Sequence, residues 1–312
     1  MAACISSLGH DQYSSKIKFD KLFNLSRYKR YFDFSSHAIN YDNPENHSNK
    51  KLKFSHDDEF SSNKLPCLKM VVGSLYLPKD NPNKPLGEDA HSMHELYQTI
   101  GVADGVGGWA LQGIDAGIYA RELMKNSFIA TYDEAMKGHV NPKRVLEEAY
   151  KNTNSKGSST ACIITHNSVK NTIVTANVGD SGFLLIRKGK IIYKSPIQQR
   201  GFGCPYQLGN CNSDNPSVAQ EMELNVEKDD ILMVGTDWML DNIFESEIEE
   251  IVERAIDQKL KQRSWLVKLG TLLCIIHLID LQMHHMLEHL RDDIKEEKLV
   301  ILLLLLIIYN NN

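Results

Sequence analysis

Long uninterrupted apolar stretches are scarce in this sequence of 312 residues. The run from Leu299 to Ile308 is far shorter than the roughly 20 residues a helix needs to cross a bilayer. The stretch from Trp265 to Leu281 is broken by Lys268, His277 and Asp280. Both predict buried helix or strand in preference to a membrane-associated tail. Close-paired cysteines are also missing. The six cysteines lie far apart except for Cys204 and Cys211, and no CxxC pair offers a zinc site. With no apolar secretory leader, this predicts reduced thiols and an intracellular protein, cytoplasmic or organellar. Strong charge is lacking too: a formal net charge of -5 gives no reason to expect nucleic acid as a partner. No internal repeat is evident. Acidic residues are sparse from Met1 to Arg30, only Asp11 and Asp20, among several Ser, Lys and Arg. That composition suits a chloroplast or mitochondrial targeting segment, or simply a loosely ordered tail. Asn40 to Lys50 holds almost no apolar residue, so residues 1–66 read as a flexible leader.

Order is expected from about residue 67. Met70 to Leu77 has the apolar, β-branched character of a strand, and Pro78, Pro82 and Pro85 then impose a loop. Ile100 to Ala103 predicts a short strand that delivers Asp104 at its end. Ile114 to Met136 predicts an amphipathic helix, with Ile118, Leu123 and Met124 inward. Pro142 suits the first turn of a second helix through Val145, Leu146 and Ala149. From Ser159 to Ser195 the pattern becomes short strands: 161–165, 172–178, 183–186 and 191–193. Arg187-Lys188-Gly189-Lys190 is a hairpin turn between the last two. Phe183-Leu184-Leu185-Ile186 lacks polar alternation, which predicts a sheet covered on both faces. Cys162 and Cys274 sit in apolar runs and read as core. Two more strands, 221–226 and 231–234, precede Thr236-Asp237, and a helix is expected to open at Asp241-Asn242.

The stretch that organises the chain is Ala103-Asp104-Gly105-Val106-Gly107-Gly108-Trp109. A carboxylate at a glycine-rich turn can present oxygen to a hard metal ion, with the neighbouring carbonyl beside it. Alone it is an ordinary turn. Three further stretches change its meaning: Gly87-Glu88-Asp89-Ala90-His91; Gly157-Ser158-Ser159-Thr160-Ala161 leading to Val178-Gly179-Asp180-Ser181-Gly182; and Gly235-Thr236-Asp237 with Asp241-Asn242.

In this order and at these intervals, the four stretches resemble the PP2C-type metal-dependent serine/threonine protein phosphatases. More narrowly they resemble the plant and mitochondrial-type branch with its extended DGVGGWA segment. The resemblance runs from about Val71 to Ile256. It implies an α+β fold, a four-layer α-β-β-α sandwich with two central antiparallel sheets, filling a domain over 67–298 that diverges after about 256. Residues 299–312 are then an apolar tail. It implies hydrolysis of phosphoserine and phosphothreonine in protein substrates by water activated at two Mg²⁺ or Mn²⁺ ions, in a monomer. In the family pattern Asp104 bridges both ions, the Gly105 carbonyl assists at one and Asp237 ligates the other. Glu88 acts on metal-bound water, with Asp89 in support. Lys84 takes the phosphate-gripping position, where the family commonly has arginine. Asp180 has a turn and core-support role or, as in some members, adjoins an additional metal position. His91 has no catalytic counterpart and reads as packed.

The sequence departs from that pattern in three places, the mildest being Met239-Leu240, an unusual but tolerable apolar filling between Asp237 and Asp241. Trp238 follows Asp237 where the family has glycine, which adds bulk and removes freedom for positive φ. The terminal metal-binding motif is altered, and its nearest match, Arg291-Asp292-Asp293-Ile294, makes Asp292 the expected ligand and Asp293 its alternative. These departures leave a second reading: a weak or inactive phosphatase-like protein that binds a phosphoprotein partner.

Overall fold

A computed structural model describes residues 68–257, apart from 79–83, 85, 202 and 210–213, together with 301–310. Its elements run in chain order as β1 (Leu68–Leu77), β2 (Asp89–His94), β3 (Thr99–Asp104), α1 (Ala116–Met136), α2 (Pro142–Asn152), β4 (Ser158–Ser159), β5 (Ala161–Asn167), β6 (Thr172–Val178), β7 (Gly182–Arg187) and β8 (Lys190–Lys194). There follow β9 (Gln199–Gly201), β10 (Cys204–Pro205), β11 (Leu208–Gly209), β12 (Gln220–Asn225), β13 (Ile231–Gly235), α3 (Asp237–Asn242), α4 (Glu245–Asp257) and β14 (Ile301–Asn310).

Two five-stranded sheets carry the fold, with orders β1-β14-β13-β7-β8 and β12-β6-β5-β3-β2. Every pairing between neighbours in them is antiparallel. One core gathers Leu68, Met70, Phe183, Leu185, Leu232 and Val234 from the first sheet with Met93, Ile100, Val102, Cys162, Ile164 and Ile173 from the second. A second core sets the other face of the second sheet, through Ala103, Ile163, Ala176 and Val178, against α1 and α2. The alternation of side chains along a strand explains both: Cys162 and Ile164 point one way, Ile163 the other. On the first sheet α3 packs by β7 and β13, and α4 by β8. Met239, Leu240, Ile248, Ile251 and Val252 are buried there.

The helices start where their side chains cap them. Asp115 accepts a hydrogen bond from the Gly117 N–H, and Asn141 accepts one from the Arg144 N–H one residue before Pro142. Leu123 and Met124 are buried as expected, but Ile118 is exposed and belongs to the outer face of α1. The expected hairpin turn is present, with Lys188 and Gly189 both at positive φ. The helix expected to open at Asp241-Asn242 is α4, which begins at Glu245, and a separate short helix that was not expected, α3, occupies Asp237–Asn242. Residue 238 therefore has helical backbone, which needs negative φ and removes the conformational objection to tryptophan there. The apolar run near the end of the sequence forms β14, hydrogen-bonded to β1 on one side and β13 on the other. Among the described residues no helix is long and apolar enough to cross a membrane. Cys274, Asp292, Asp293 and the leader 1–66 lie outside the described residues.

Candidate metal centre

Asp104 is the last residue of β3, and the antiparallel register sets it opposite Asp89, the first residue of β2. Its backbone is held on the other side as well. The Asp104 N–H donates to Thr160 Oγ1 at 3.1 Å, and its carbonyl accepts from the Thr160 N–H at 2.9 Å. Thr160 Oγ1 lies 2.6 Å from Ser181 Oγ, which ties the strand end to the turn carrying Asp180. Gly105 follows, bridged to Ser159, and its N–H donates to the Glu88 carbonyl at 3.1 Å. A Cβ at Gly105 would lie 2.7 Å from the carbonyl oxygens of Ala116 and Glu88. Only glycine fits between those two backbones. The Trp109 indole Nε1–H donates to Ser158 Oγ at 2.6 Å, anchoring the 3-10 turn Gly107–Gln112 that continues the glycine run.

The first sheet contributes the remaining acids. Asp237 begins α3 directly after β13, where a carboxylate is favoured by the helix N-terminus. Asp104 is hydrogen-bonded to both Asp237 and Asp89. Burial, then the charges of Asp89 and Asp237, hold the Asp104 carboxyl well above the usual carboxylate range. Asp180 is raised by burial and by Asp237, against the opposing hydrogen bond from Gln199 Nε2 at 2.8 Å. Asp241, one turn along α3, is raised by burial and again by Asp237. Five aspartates from two sheets thus converge in one electrostatic neighbourhood.

Glu88 and Lys84 form an ion pair at 2.7 Å, with Nζ donating to Oε1. Gly107 lies beside that carboxylate, since a Cβ built on it would be 3.6 Å from Glu88 Oε2. Arg121 of α1 closes the back of the loop, donating to the Gly87 carbonyl at 2.8 Å and to Asp115 Oδ2 at 3.1 Å. Burial pulls the His91 imidazole down to about 4, so it is neutral at pH 7.

Of the residues expected at the site, the structure brings Asp104, Gly105 and Asp237 together, with Glu88 and Lys84 paired beside them. Sequence reasoning gave Asp89 and Asp180 supporting roles and read Asp241 as a helix cap. The pairing of β2 with β3 places Asp89, the β6–β7 turn places Asp180 and the helical turn of α3 places Asp241 among the acids. A hard divalent cation fits an oxygen-only set whose charges otherwise oppose one another. Among the described residues, however, no three His, Cys, Asp or Glu side chains form a complete ligand group.

Comparison with known proteins agrees with this architecture. The chain is 47% identical over 190 residues to the Arabidopsis thaliana "Probable protein phosphatase 2C 55", covering 61% of this chain and 40% of that protein. It is 41% identical over 210 residues to "Probable protein phosphatase 2C 80" of the same plant, covering 67% and 50%. With the Drosophila grimshawi "Protein phosphatase PTC7 homolog fig" it shares 37% over 183 residues, covering 54% and 59%. The chain thus spans about half the length of the curated relatives it matches. No family model matches it. Among solved structures, the photosystem II phosphatase PBCP superposes with a TM-score of 0.63 at 23% identity, covering 76% of this chain and 98% of that one. The Mycobacterium tuberculosis serine/threonine phosphatase PstP/Ppp gives 0.51 at 12%, covering 78% and 99%. The two antiparallel sheets with their helices define an α+β fold of the PP2C phosphatase type. In sequence as in fold, this chain is a relative of the PP2C-type protein phosphatases, and plant proteins are among those it matches.

Proposed function

We propose that this chain hydrolyses phosphoserine and phosphothreonine in proteins at a centre of two divalent cations, Mg²⁺ or Mn²⁺. The carrying observation is the meeting of Asp104 with Asp89 from one sheet and Asp237 from the other, which raises the Asp104 carboxyl by burial and mutual charge. Asp104, the Gly105 carbonyl and Asp237 would hold the ions, with Asp292 or Asp293 as the further carboxylate. Bound divalent cations lower the pKa of a water molecule and offset phosphoryl charge.

The chain's own residues do the rest. The pairing of Asp104 with Thr160 and the wedged Gly105 fix the backbone that carries the Asp104 carboxylate, which would hold the ions. Glu88, held by Lys84, would accept a proton from attacking water and orient it. Lys84 brings the positive charge that would meet the phosphoryl oxygens, as a point charge rather than a fork. The four-layer α-β-β-α arrangement is part of the same reading. It is supported by α1 and α2 against one sheet, α3 and α4 against the other, and a shared core between the sheets.

The test is phosphate release from several phosphoserine and phosphothreonine peptides across a Mn²⁺ titration. Metal-dependent turnover is expected, and Asp104→Asn should lower it by about 100-fold or more, the scale of losing one preorganised charge contact. Turnover equal in Asp104→Asn and the native chain would overturn the reading.

A further inference from the structure

Two leucines stand in water beside Glu88. The 3-10 turn Gly107–Gln112 has no buried residue, and the chain from Val106 to Ile114 carries no charged side chain. Within it Leu111 is 94% exposed. The turn is nevertheless fixed. The Trp109 indole donates to Ser158 Oγ, and that hydroxyl donates in turn to Gln207 Oε1. The Val106 N–H donates to the Ser158 carbonyl at 3.0 Å, and the Ile114 N–H to the Trp109 carbonyl at 3.2 Å. Leu86 belongs to the loop that carries Lys84 and Glu88. It is 62% exposed, although the Tyr76 hydroxyl holds its carbonyl at 2.9 Å. Both leucines are thus presented to solvent by anchored backbone.

Their spacing from the site matches an extended chain. Gly107 opens the turn beside the Glu88 carboxylate, and four steps of 3-10 rise put Leu111 about 8 Å further along. Leu86 is two residues before Glu88, so within about 7 Å of it. Gly107 and Gly108 are exposed, and a Cβ at Gly108 would meet nothing within 4 Å. The path from the carboxylate to Leu111 is therefore bare backbone, open to close approach by a second chain. In an extended peptide, side chains two apart point the same way and lie about 7 Å apart. A residue whose phosphoryl group reaches the acids carries its second neighbours to these leucines.

We propose that the chain selects phosphorylated protein segments with an apolar residue two positions from the phosphoserine or phosphothreonine, read by Leu111 and Leu86. This rests on the phosphatase reading and narrows its substrate class. The turn offers no charge to a basic or acidic flank, so burial of apolar surface is the gain it can supply.

Four phosphoserine peptides test it: leucine two residues before the phosphoserine, leucine two residues after, serine at both places, and leucine only at the adjacent places. Initial rates with Mn²⁺ give kcat/KM for each. The native chain is expected to favour at least one of the first two over the third by about tenfold, the scale of one apolar side chain leaving water. The fourth, whose leucines point away, should match the third. Replacing both site leucines, Leu111→Ser with Leu86→Ser, should level the ratio, and Leu111→Met with Leu86→Met should keep it. A ratio within one variant is unaffected by differences in folding or metal loading. The same peptides with a non-hydrolysable phosphonate, titrated by calorimetry with Mn²⁺ present, read the preference without turnover. Turnover indifferent to leucine, a preference for the adjacent places alone, or a preference kept by the double serine variant would overturn this inference and leave the phosphatase reading intact. Leucine-selective binding without phosphate release would sink the phosphatase reading and uphold the selectivity. Neither turnover nor selective binding would overturn both.

Discussion

Asp104 works against the stability of the chain that holds it. Its carboxyl is raised by burial and by Asp89 and Asp237, so the folded state favours its neutral form. The metal-free fold therefore loses stability as pH climbs from the ordinary carboxylate value toward the raised one. Asp104→Asn keeps hydrogen-bonding capacity without the charge. In metal-free buffer at pH 7 the variant should melt several degrees higher than the native chain, as calorimetry would read. His166 acts in the opposite pH window. It is buried on β5, and burial pulls its imidazole from 6.5 to about 4. Stability from that group is complete above 6.5 and drains away as pH falls toward 4. Between pH 7 and 5 the share of that one group should be about 2 kcal/mol, and urea titrations should show the loss of the native chain reduced by about that amount in His166→Leu, with His91 still contributing its own share. Glu88, Asp104, Gly105 and Asp237 were legible in sequence because glycines and acids recur there in a known order. Asp89 and Asp241 were not legible as members of the cluster. Their positions depend on a strand register and a helical turn, neither of which local composition specifies.

Elements were easiest to read where local chemistry leaves few choices. Lys188-Gly189 made its hairpin, Pro142 opened α2, and the β-branched runs became β5, β6 and β7. Two misreadings share one physical cause. Ile118 was assigned inward because it is apolar, yet the packing of α1 on the sheet decides which stripe is covered. Asp241 or Asn242 was taken as the cap of the helix carrying Ile248 and Ile251, yet both lie inside the short helix α3, and that later helix, α4, begins at Glu245. One contact between elements carries unusual weight. Arg187 at the end of β7 forks onto Asp230 before β13, at 2.9 and 2.8 Å, and the Asp230 side chain is 1% exposed. Arg187→Met would leave that carboxylate buried beside the Glu227 N–H alone. A loss of about 3 kcal/mol is expected in urea unfolding at pH 7, with Arg187→Met/Asp230→Leu recovering part of it.

At the scale of the whole molecule, the acids come from both sheets: Asp89 and Asp104 from one, Asp237 from the other. A cation bound between them would cross-link the two halves of the fold. Binding only the folded state at about 100 times its dissociation constant adds roughly 2.7 kcal/mol. Mn²⁺ should therefore raise the melting temperature of the native chain and leave Asp104→Asn nearly unmoved, a readout that needs no substrate. The first sheet has a further property. β1 pairs with β14, and the paired segments are separated by over two hundred positions of sequence. A ribosome moving at roughly 5–20 residues per second needs on the order of ten seconds or more to cover that span. Until residue 310 has emerged, β1 lacks the neighbour it has in the finished sheet and exposes an apolar edge. The second sheet can be complete long before, since all its strands are made by Asn225. Synthesis thus builds this protein one sheet at a time, and its earliest described strand is the natural client of a chaperone.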